Sequence, residues 1–338
     1  MGSDKIILTM LPAIESEMQR ILADSIPNEY KGMTPLLAYH LGWEGERAGQ
    51  EAQGKRIRPL IVLLCAATVG GEWRHALPAA AAVELVHNFS LIHDDIQDKS
   101  EIRRGRPTVW VKWGVAKAIN AGDLMFTLAQ TAILQMCQTV SLQAALRSAE
   151  ILNRTCIRLT GGQHLDMAYE SQSEVTLDAY WPMIDGKTAA LLQCSAVLGG
   201  IAAKASEEKL IAFSKFGKNL GLAFQVLDDL LGIWGNAGLI GKSTESDLVS
   251  GKKTLPVLFG LAKKGLFYNR WTQGHILPQE AHLLAELLAQ EGARDYTRKI
   301  ADDLTSKALD ALSLAACESN EACTALKQLA HELLNREQ

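Results

Sequence analysis

Apolar residues recur along this chain at the spacing of α-helices. Apolar side chains three and four residues apart share one face of a helix. The clearest such set is Phe216, Leu220, Ala223 and Leu227. The 16 residues 188–203 carry no charge, which predicts a buried central helix too short to span a bilayer. Beyond about Asn269 the pattern becomes a run of amphipathic helices, so the chain as a whole is predicted to be mainly helical.

Glycine and proline positions predict where these helices are interrupted. The predicted breaks are Pro27–Asn28, Gly70–Gly71, Gly161–Gly162, Gly199–Gly200 and the stretch 232–251. The last of these is a long glycine-spaced stretch that carries Lys242, Asp247 and Lys252, and it is a candidate lid over a bound ligand. Because no linker, repeat or low-complexity segment divides the chain, we expect a single domain over residues 1–338.

The length, charge and cysteine content of the chain limit the classes of protein to which it can belong. A chain of 338 residues with 48% hydrophobic residues can bury a large core. The formal net charge of −4 argues against nucleic acid as a partner. The six cysteines form no CxxC pair and have no histidine at zinc spacing, so we interpret them as reduced core residues. Residues 1–6 have no signal-peptide pattern, which predicts a cytoplasmic protein.

Two groups of aspartates follow apolar helical segments. The first is Asp94, Asp95 and Asp98, and the second is Asp228 with Asp229. Because residues four apart share a helix face, Asp94 and Asp98 can reach the same side, where their charges repel each other. A hard cation such as Mg²⁺, bound by oxygen ligands and shared with phosphate, relieves that repulsion. Two acidic groups therefore predict a diphosphate held by magnesium, whereas the first group alone could also be a solvated helix face.

Cationic residues lie close to the first acidic group along the chain. The segment Arg103–Pro107 follows it, and the glycine and proline of this segment break the helix and concentrate three arginines near the aspartates. The earlier segment Gly54–Pro59 adds three cations beside a predicted helix start, where Pro59 suits the first turn. An anionic ligand bound through a metal ion would need carboxylates and cations close together, as they are in this part of the sequence.

Seven segments, in this order, resemble those of the trans-isoprenyl diphosphate synthases, also called polyprenyl synthetases. They are GKRIRP (54–59), ELVHNFSLIHDDIQD (84–98), RRGRPTVW (103–110), GGQHLD (161–166), GKTAALL (186–192), FGKNLGLAFQVLDDLLGIWG (216–235) and GKSTESDLVSGKKTLP (241–256). The resemblance implies an all-α, isoprenoid synthase-type helical bundle around a central cavity. It also implies a prenyltransferase that condenses isopentenyl diphosphate with dimethylallyl, geranyl or farnesyl diphosphate, and that forms a homodimer.

The same resemblance implies roles for individual residues. The magnesium ligands are Asp94, Asp98 and Asp228, with Mg²⁺ as the cofactor at about three ions per site. The catalytic set adds Asp95, Asp229, Lys187 and Lys242. The diphosphate of isopentenyl diphosphate, bound without metal, is held by Lys55, Arg58, His87 and Arg104. The allylic diphosphate is held by Arg103, Lys187, Lys242 and Lys252, with Thr188 and Gln225 beside them. The supporting residues are Gln163 and Asp166.

The second aspartate motif departs from the family pattern. The family has DDxxD, whereas this chain has DDLLG over residues 228–232. A glycine inside a helix costs roughly 1 kcal/mol relative to alanine, so it is either tolerated near a helix end or leaves room for another group. We interpret Gly232 as tolerated, with an effect on the affinity of the third magnesium and none on the reaction class. Gly232→Asp is then expected to change the magnesium dependence modestly.

Product length in the resembling family depends on the residues about one turn before the first motif. Phe89 precedes Asp94 by five residues and Ser90 precedes it by four. A bulky residue at the first of these positions closes the floor of the elongation cavity, so Phe89 predicts a short product. The motif also lacks the two-residue insertion of typical bacterial farnesyl diphosphate synthases. Geranylgeranyl diphosphate is therefore the predicted product, and farnesyl diphosphate is the alternative.

Two other functions share parts of this sequence pattern. A non-catalytic regulatory subunit of a prenyl synthase would ordinarily lack the first motif, which is intact here. A class I terpene cyclase would share the fold and the metal chemistry but would not need the pocket for isopentenyl diphosphate. The sequence favours prenyl transfer over both alternatives. An assay with and without isopentenyl diphosphate distinguishes the three functions.

Overall fold

Helices make up nearly all of the regular structure. A computed structural model of the chain describes residues 3–172, 174–235, 246–316 and 320–334. Its α-helices are α1 (Ser3–Ser25), α2 (Thr34–His40), α3 (Gln50–Gln53), α4 (Ile57–Thr68), α5 (Leu77–Gln97), α6 (Val109–Trp113), α7 (Val115–Leu134), α8 (Met136–Thr139), α9 (Leu142–Ser171), α10 (Leu177–Ile184), α11 (Ala190–Ala202), α12 (Glu207–Trp234), α13 (Ser246–Val249), α14 (Leu255–Lys263), α15 (Leu266–Trp271), α16 (Ala281–Gln290), α17 (Ala293–Ala315) and α18 (Glu321–Leu334). The predicted all-α fold class is confirmed.

The other regular elements are short. An antiparallel hairpin of β1 (Ile102–Arg103) and β2 (Arg106–Pro107) follows α5 along the chain. The 3-10 helices are Asn28–Met33, Trp73–Ala76 and Pro278–Glu280. The segment Asp185–Ala189, between α10 and α11, is a π-helix. Such turns are rare and often occur at functional sites, and this one contains Lys187 and Thr188.

The chain clusters into two compact units. Unit 1 consists of residues 1–154, 194–213 and 315–328, and unit 2 consists of residues 155–193, 214–314 and 329–338. The first aspartate group therefore belongs to unit 1 and the second to unit 2. A single domain over residues 1–338 stays a prediction.

In unit 1, α5 is the central element. It packs against α7, α4 and α1, and its segment 79–83 consists of fully buried alanines and a valine. Pro78 stands in the first turn of α5, where its missing N–H interrupts no helical hydrogen bond. The helix ends at Gln97, and Lys99 turns the chain towards the hairpin with a φ of 52°. The first aspartate group therefore lies at the C-terminal end of a buried helix.

In unit 2, a hydrophobic cluster joins α12 to the elements that follow it. Its buried members are Ile233, Leu248, Val257, Phe267, Ile276, Leu284, Ala285, Leu288 and Ala293. Ile233 lies in α12, Leu248 in α13 and Val257 in α14. The cluster thus fixes the end of α12 together with the segment 246–254.

Two of the predicted helix breaks are wrong. Gly161–Gly162 lie inside α9, and Gly199–Gly200 lie inside α11. A Cβ on Gly162 would overlap the backbone of the π-helix at Gly186, and a Cβ on Gly199 would overlap the backbone of Val62. Each of these glycines lets its helix approach a neighbouring helical segment closely. Only the packing of the folded chain shows these contacts. The buried helix predicted over residues 188–203 is confirmed as the end of the π-helix followed by α11.

The other predicted breaks match the structure where it is described. Pro27–Asn28 follow the end of α1, and Gly70–Gly71 follow the end of α4. The loop predicted over 232–251 begins later than expected, because α12 continues through Gly232 to Trp234. Residues 236–245 lie outside the described residues. Within the described ranges, none of the helices has the length and apolar character needed to cross a membrane.

Candidate active site

Asp94 and Asp98 lie one helical turn apart. The N–H of Asp98 donates a 2.8 Å hydrogen bond to the carbonyl oxygen of Asp94, so helical geometry extends past the last residue of α5. The two side chains therefore start from the same side of the helix, as their spacing predicted. Asp98 is exposed and Asp94 is half-buried. Both carboxylates are accessible to a ligand.

Asp95 has a different environment from its two neighbours in the motif. It is buried, and its Oδ1 accepts a 2.8 Å hydrogen bond from Nε of Arg103 in β1. Burial raises the pKa of Asp95 to about 6, and the nearby charge of Arg103 opposes that shift. This ion pair ties the hairpin to the end of α5. Asp95 therefore positions Arg103, which is itself a predicted ligand of the allylic diphosphate.

Arg104 links the hairpin to the start of the GKRIRP segment. Its Nη1 donates hydrogen bonds to the carbonyl oxygens of Ala52 at 2.9 Å and Gln53 at 2.8 Å. Its guanidinium group packs on Gly54, where a Cβ would lie only 2.7 Å from Cζ. Burial lowers the pKa of Arg104 to about 10, so the side chain remains charged at neutral pH. Glycine at position 54 is what allows this close approach.

Arg58 and His87 are also brought together in unit 1. Nη1 of Arg58 in α4 lies 3.2 Å from Nε2 of His87 in α5. Because a guanidinium N–H can only donate, this histidine nitrogen is the acceptor. Burial, together with the charges of Arg58 and Arg104, lowers the pKa of His87 well below its ordinary range, so the imidazole is neutral. We call Arg58, His87 and Arg104 the cationic patch.

Arg56, between two predicted ligand-binding residues, has a structural role. It is buried, and its Nε donates to Glu15 at 2.6 Å while its Nη1 donates to Glu84 at 2.9 Å. These bonds tie α1 to α5 and fix the start of α4. Removing one partner of a buried ion pair typically costs about 3–5 kcal/mol. The three cations of this segment therefore divide into one structural residue and two, Lys55 and Arg58, that can serve a ligand.

In unit 2, Asp228 and Asp229 have opposite environments. Asp228 is exposed, whereas Asp229 is buried. Asp229 accepts hydrogen bonds from the hydroxyl of Tyr180 at 2.7 Å, from Nε2 of Gln225 at 3.0 Å and from the N–H of Leu255 at 2.9 Å. Burial raises the pKa of Asp229 to about 7, and these donors oppose the shift. Asp229 therefore anchors the start of α14, while Asp228 is the accessible carboxylate of the pair.

The π-helix presents its polar residues to α9 and α12. The hydroxyl of Thr188 donates a 2.6 Å hydrogen bond to Oε1 of Gln225, which in turn donates to Asp229. Nζ of Lys187 pairs with the carboxylate of Asp166 in α9. Gln163 precedes Asp166 by three residues on the same helix. The structure thus links Thr188, Gln225 and Asp229 in one hydrogen-bonded chain and separately pairs Lys187 of the π-helix with Asp166.

The three remaining predicted lysines are Lys55, Lys252 and Lys242. Lys55 is exposed at the start of the GKRIRP segment. Lys252 is also exposed, and its backbone N–H donates a 3.0 Å hydrogen bond to the carbonyl oxygen of Asp247. Lys242 lies outside the described residues.

Phe89, the predicted product-length residue, contacts a second aromatic ring. Its ring centroid lies 5.1 Å from that of Phe126 in α7 and 5.8 Å from that of His93. Ser90 donates a 2.7 Å hydrogen bond to the carbonyl oxygen of His87 within α5. Sequence reasoning missed Phe126, because nothing in the pattern of α7 distinguishes it before the packing of α7 on α5 is known. We call Phe89 and Phe126 the aromatic pair.

The accessible carboxylates fit a divalent cation that binds together with a phosphate ligand. Among the described residues, no three His, Cys, Asp or Glu side chains gather closely enough to hold a metal ion. Mg²⁺ in proteins is commonly held by one or two carboxylates, waters and substrate phosphates. Asp94 with Asp98, and separately Asp228, match that donor set. The residues present therefore fit Mg²⁺ bound jointly with a diphosphate.

Comparison with known proteins shows the family. The family model described as Polyprenyl synthetase matches residues 47–273, more than half of the chain. The chain therefore belongs to the polyprenyl synthetase family, as its seven segments predicted.

Individual relatives agree with this assignment. The (2E,6E)-farnesyl diphosphate synthase of Mycobacterium tuberculosis is 40% identical over 315 residues, covering 90% of this chain and 86% of the relative. The geranylgeranyl pyrophosphate synthetase structure from Pyrococcus horikoshii has a TM-score of 0.85 at 33% identity, covering 98% of this chain and 100% of that one. A polyprenyl synthase from Caulobacter crescentus, solved with calcium and isoprenyl diphosphate, has a TM-score of 0.81 at 30% identity, covering 99% and 98%. The predicted class of short-chain trans-prenyltransferase is confirmed.

Proposed function

We propose that this protein condenses isopentenyl diphosphate with an allylic diphosphate, namely dimethylallyl, geranyl or farnesyl diphosphate, in the presence of Mg²⁺. One observation carries the proposal. The cationic patch and the first aspartate motif belong to the same unit, and the hairpin connects them, because Arg103 pairs with Asp95 of the motif and its neighbour Arg104 belongs to the patch. A protein that ionises a single diphosphate substrate has no need for a second, separate set of cations. The assembly we propose is a homodimer, as the family resemblance implies.

The first set of residues serves the allylic diphosphate. When bound, Mg²⁺ supplies Lewis acidity and a template for the departing diphosphate. By the family resemblance, Asp94, Asp98 and Asp228 are the residues whose accessible carboxylates would hold it. Fixed positive charges stabilise negative charge as it develops on the leaving group. Those charges come from Arg103, Lys187, Lys242 and Lys252, with Thr188 and Gln225 beside them.

The second set of residues holds isopentenyl diphosphate without metal. It consists of Lys55 and the cationic patch, Arg58, His87 and Arg104. A neutral His87 adds no repulsion to the two arginines, and it orients Arg58 through their 3.2 Å contact. The double bond of isopentenyl diphosphate forms the new carbon–carbon bond as the allylic diphosphate departs, and a proton is then lost. No protein nucleophile takes part.

The proposal of two differently bound diphosphates is tested by calorimetric titration with and without metal. Isopentenyl diphosphate is expected to bind in the presence of EDTA, because arginines and a histidine hold it. A non-reactive thiolo analogue of geranyl diphosphate is expected to bind only when Mg²⁺ is added. Binding of isopentenyl diphosphate that needs Mg²⁺ would contradict the metal-free pocket. No binding of it under either condition would favour the terpene cyclase alternative.

Geranylgeranyl diphosphate is the product we propose, and farnesyl diphosphate is the alternative. The aromatic pair supports a short product. The rings of Phe89 in α5 and Phe126 in α7 contact each other about one helical turn before the first motif. Relatives named for both products are similar to this chain, so similarity alone does not separate the two.

Phe89→Ala is expected to lengthen the product, because it removes one ring of the aromatic pair. Phe126→Ala removes the other ring, and the double variant should extend the product further. Mass spectrometry of the diphosphates formed from farnesyl and isopentenyl diphosphate measures the chain length. Phe259→Ala, which removes a ring stacked on Tyr296 in unit 2, is the control and should leave the distribution unchanged. If the double variant also kept the wild-type distribution, the aromatic pair would not be the floor.

A further inference from the structure

We propose that Asp185 is a positioning residue for the allylic diphosphate. Its ion pairs with the two neighbouring helices, α9 and α12, keep the π-helix in the conformation that presents Lys187 to that substrate. This role rests on the proposed function and deepens it, because Lys187 is one of the residues that we propose hold the allylic diphosphate. Asp185 itself need not touch the substrate.

Asp185 is the first residue of the π-helix, and side chains of both neighbouring helices pair with its carboxylate. Its Oδ2 accepts a 2.7 Å hydrogen bond from Nη2 of Arg158 in α9. Its Oδ1 lies 3.2 Å from Nζ of Lys218 in α12. The start of the π-helix is therefore connected to α9 and to α12 through one carboxylate.

Arg158 is itself held in place by a second hydrogen-bonded chain. Its Nη1 donates a 2.8 Å hydrogen bond to Oε1 of Gln193 in α11. Nε2 of Gln193 in turn donates a 2.7 Å hydrogen bond to the hydroxyl oxygen of Ser214 in α12. A planar guanidinium group that is bound through two of its nitrogens has little freedom to turn. Arg158 can therefore fix the position of Asp185.

The residues of α9 that contact the π-helix form one stripe. Arg158, Gly162 and Asp166 are spaced four residues apart, so they share a face of α9. At one end of the stripe Arg158 binds Asp185. In the middle, a Cβ on Gly162 would overlap the backbone nitrogen of Lys187. At the other end Asp166 pairs with Nζ of Lys187. The stripe thus holds both the start of the π-helix and the ammonium group of Lys187.

The conformation of the π-helix depends on such contacts. These turns are rare, and each holds one residue more than an α-helical turn. Because each residue of an α-helix turns the chain by about 100°, relaxation to α-helical geometry would rotate the residues on one side of the turn by about that angle. Nζ of Lys187 would then leave Asp166. Loss of the Asp185 ion pairs is therefore expected to displace Lys187 while every proposed substrate ligand is still present.

Ligand titrations test this role with a readout that a general loss of stability would not reproduce. Asp185→Asn is expected to weaken binding of the thiolo analogue of geranyl diphosphate in Mg²⁺ about 10- to 100-fold, the effect of a misplaced binding group. Binding of isopentenyl diphosphate in EDTA should be unchanged, because its proposed residues belong to unit 1. Arg158→Gln breaks the same ion pair from α9, and it is the second variant in case Asp185→Asn fails to fold.

Glu280→Gln is the matched control. Glu280 forms a 2.7 Å ion pair with Arg270 in the same unit, and these two side chains are half-buried like those of Arg158 and Asp185. The control variant therefore loses an ion pair of similar burial, between α15 and the 3-10 helix that ends at Glu280. Glu280→Gln should bind both ligands as the wild-type protein does.

A double variant shows whether Asp185 acts through Lys187. Lys187→Met alone should weaken binding of the thiolo analogue, because it removes one of the proposed cations. Adding Asp185→Asn to Lys187→Met should then weaken binding by much less than Asp185→Asn does alone, since the group that Asp185 positions is already absent. Fully additive losses would overturn the positioning role.

Two further results would also overturn it. One is wild-type binding of the thiolo analogue by both Asp185→Asn and Arg158→Gln. The other is an equal loss of both ligands in these variants, which would indicate general destabilisation. If the wild-type protein itself failed to bind the thiolo analogue in Mg²⁺, the proposed function would be overturned instead.

Discussion

Asp94→Asn is expected to lower kcat by about 100- to 1,000-fold while changing the KM for isopentenyl diphosphate little. Asparagine keeps the size of the side chain but removes the charge that we propose binds the divalent cation. Asp94 is accessible and lies one turn from Asp98, and in the proposed function its carboxylate would hold the cation that stabilises the departing diphosphate. Steady-state kinetics with geranyl and labelled isopentenyl diphosphate, over a range of Mg²⁺ concentrations, measures the effect.

The neighbouring aspartates provide the comparison that this prediction needs. Asp98→Asn should resemble Asp94→Asn, because both carboxylates start from the same side of the helix. Asp95→Asn should instead lower the melting temperature, because it breaks the ion pair between the buried Asp95 and the half-buried Arg103. Asp303→Asn, which changes an exposed aspartate of α17, should match wild type in both respects. Wild-type kcat in Asp94→Asn at saturating Mg²⁺ would contradict the assignment of Asp94 as a metal ligand.

Arg58→Gln is expected to raise the KM for isopentenyl diphosphate by about 100-fold or more, while binding of the allylic substrate is kept. Arg58 belongs to the cationic patch, and its partner His87 is neutral, so in the proposed site the guanidinium group supplies the positive charge for the diphosphate. Titration of isopentenyl diphosphate in EDTA, compared with titration of the thiolo analogue of geranyl diphosphate in Mg²⁺, separates the two sites.

Arg154→Gln is the matched control for Arg58→Gln. Arg154 lies in the same unit, is exposed, and pairs with Glu150 one turn earlier in α9. The Arg154→Gln variant should bind isopentenyl diphosphate and the thiolo analogue of geranyl diphosphate as the wild-type protein does. Equal losses of both ligands in Arg58→Gln would mean that Arg58 does not separate the two sites. A cyclised hydrocarbon formed from an allylic diphosphate alone would favour the terpene cyclase alternative.

The chemistry of the site could be predicted from the sequence where it depends on local spacing. Asp94 and Asp98 share a helix face because they are four residues apart, and the structure keeps that geometry. The pairing of Arg58 with His87 could be predicted only through the family resemblance, because 29 residues separate them along the chain. The all-α class followed from periodicity together with the resemblance.

What the sequence could not reveal depends on tertiary packing. Gly162 and Gly199 suggested helix ends, yet they allow close contact between helices. Asp95 and Asp229 belong to the same motifs as their accessible neighbours, but burial gives them raised pKa values and anchoring roles. Asp247 approaches α12 so closely that a Cβ on Gly232 would lie 2.8 Å from its Cγ, and no local sequence pattern encodes this contact.

The most direct test of prenyl transfer is product analysis with the wild-type protein. The protein is incubated with Mg²⁺, isopentenyl diphosphate and, in turn, dimethylallyl, geranyl and farnesyl diphosphate, and the products are identified by mass spectrometry. Elongation of all three to geranylgeranyl diphosphate, with none when isopentenyl diphosphate is omitted, is the expected result. No elongated diphosphate from any of the three would contradict the proposed function.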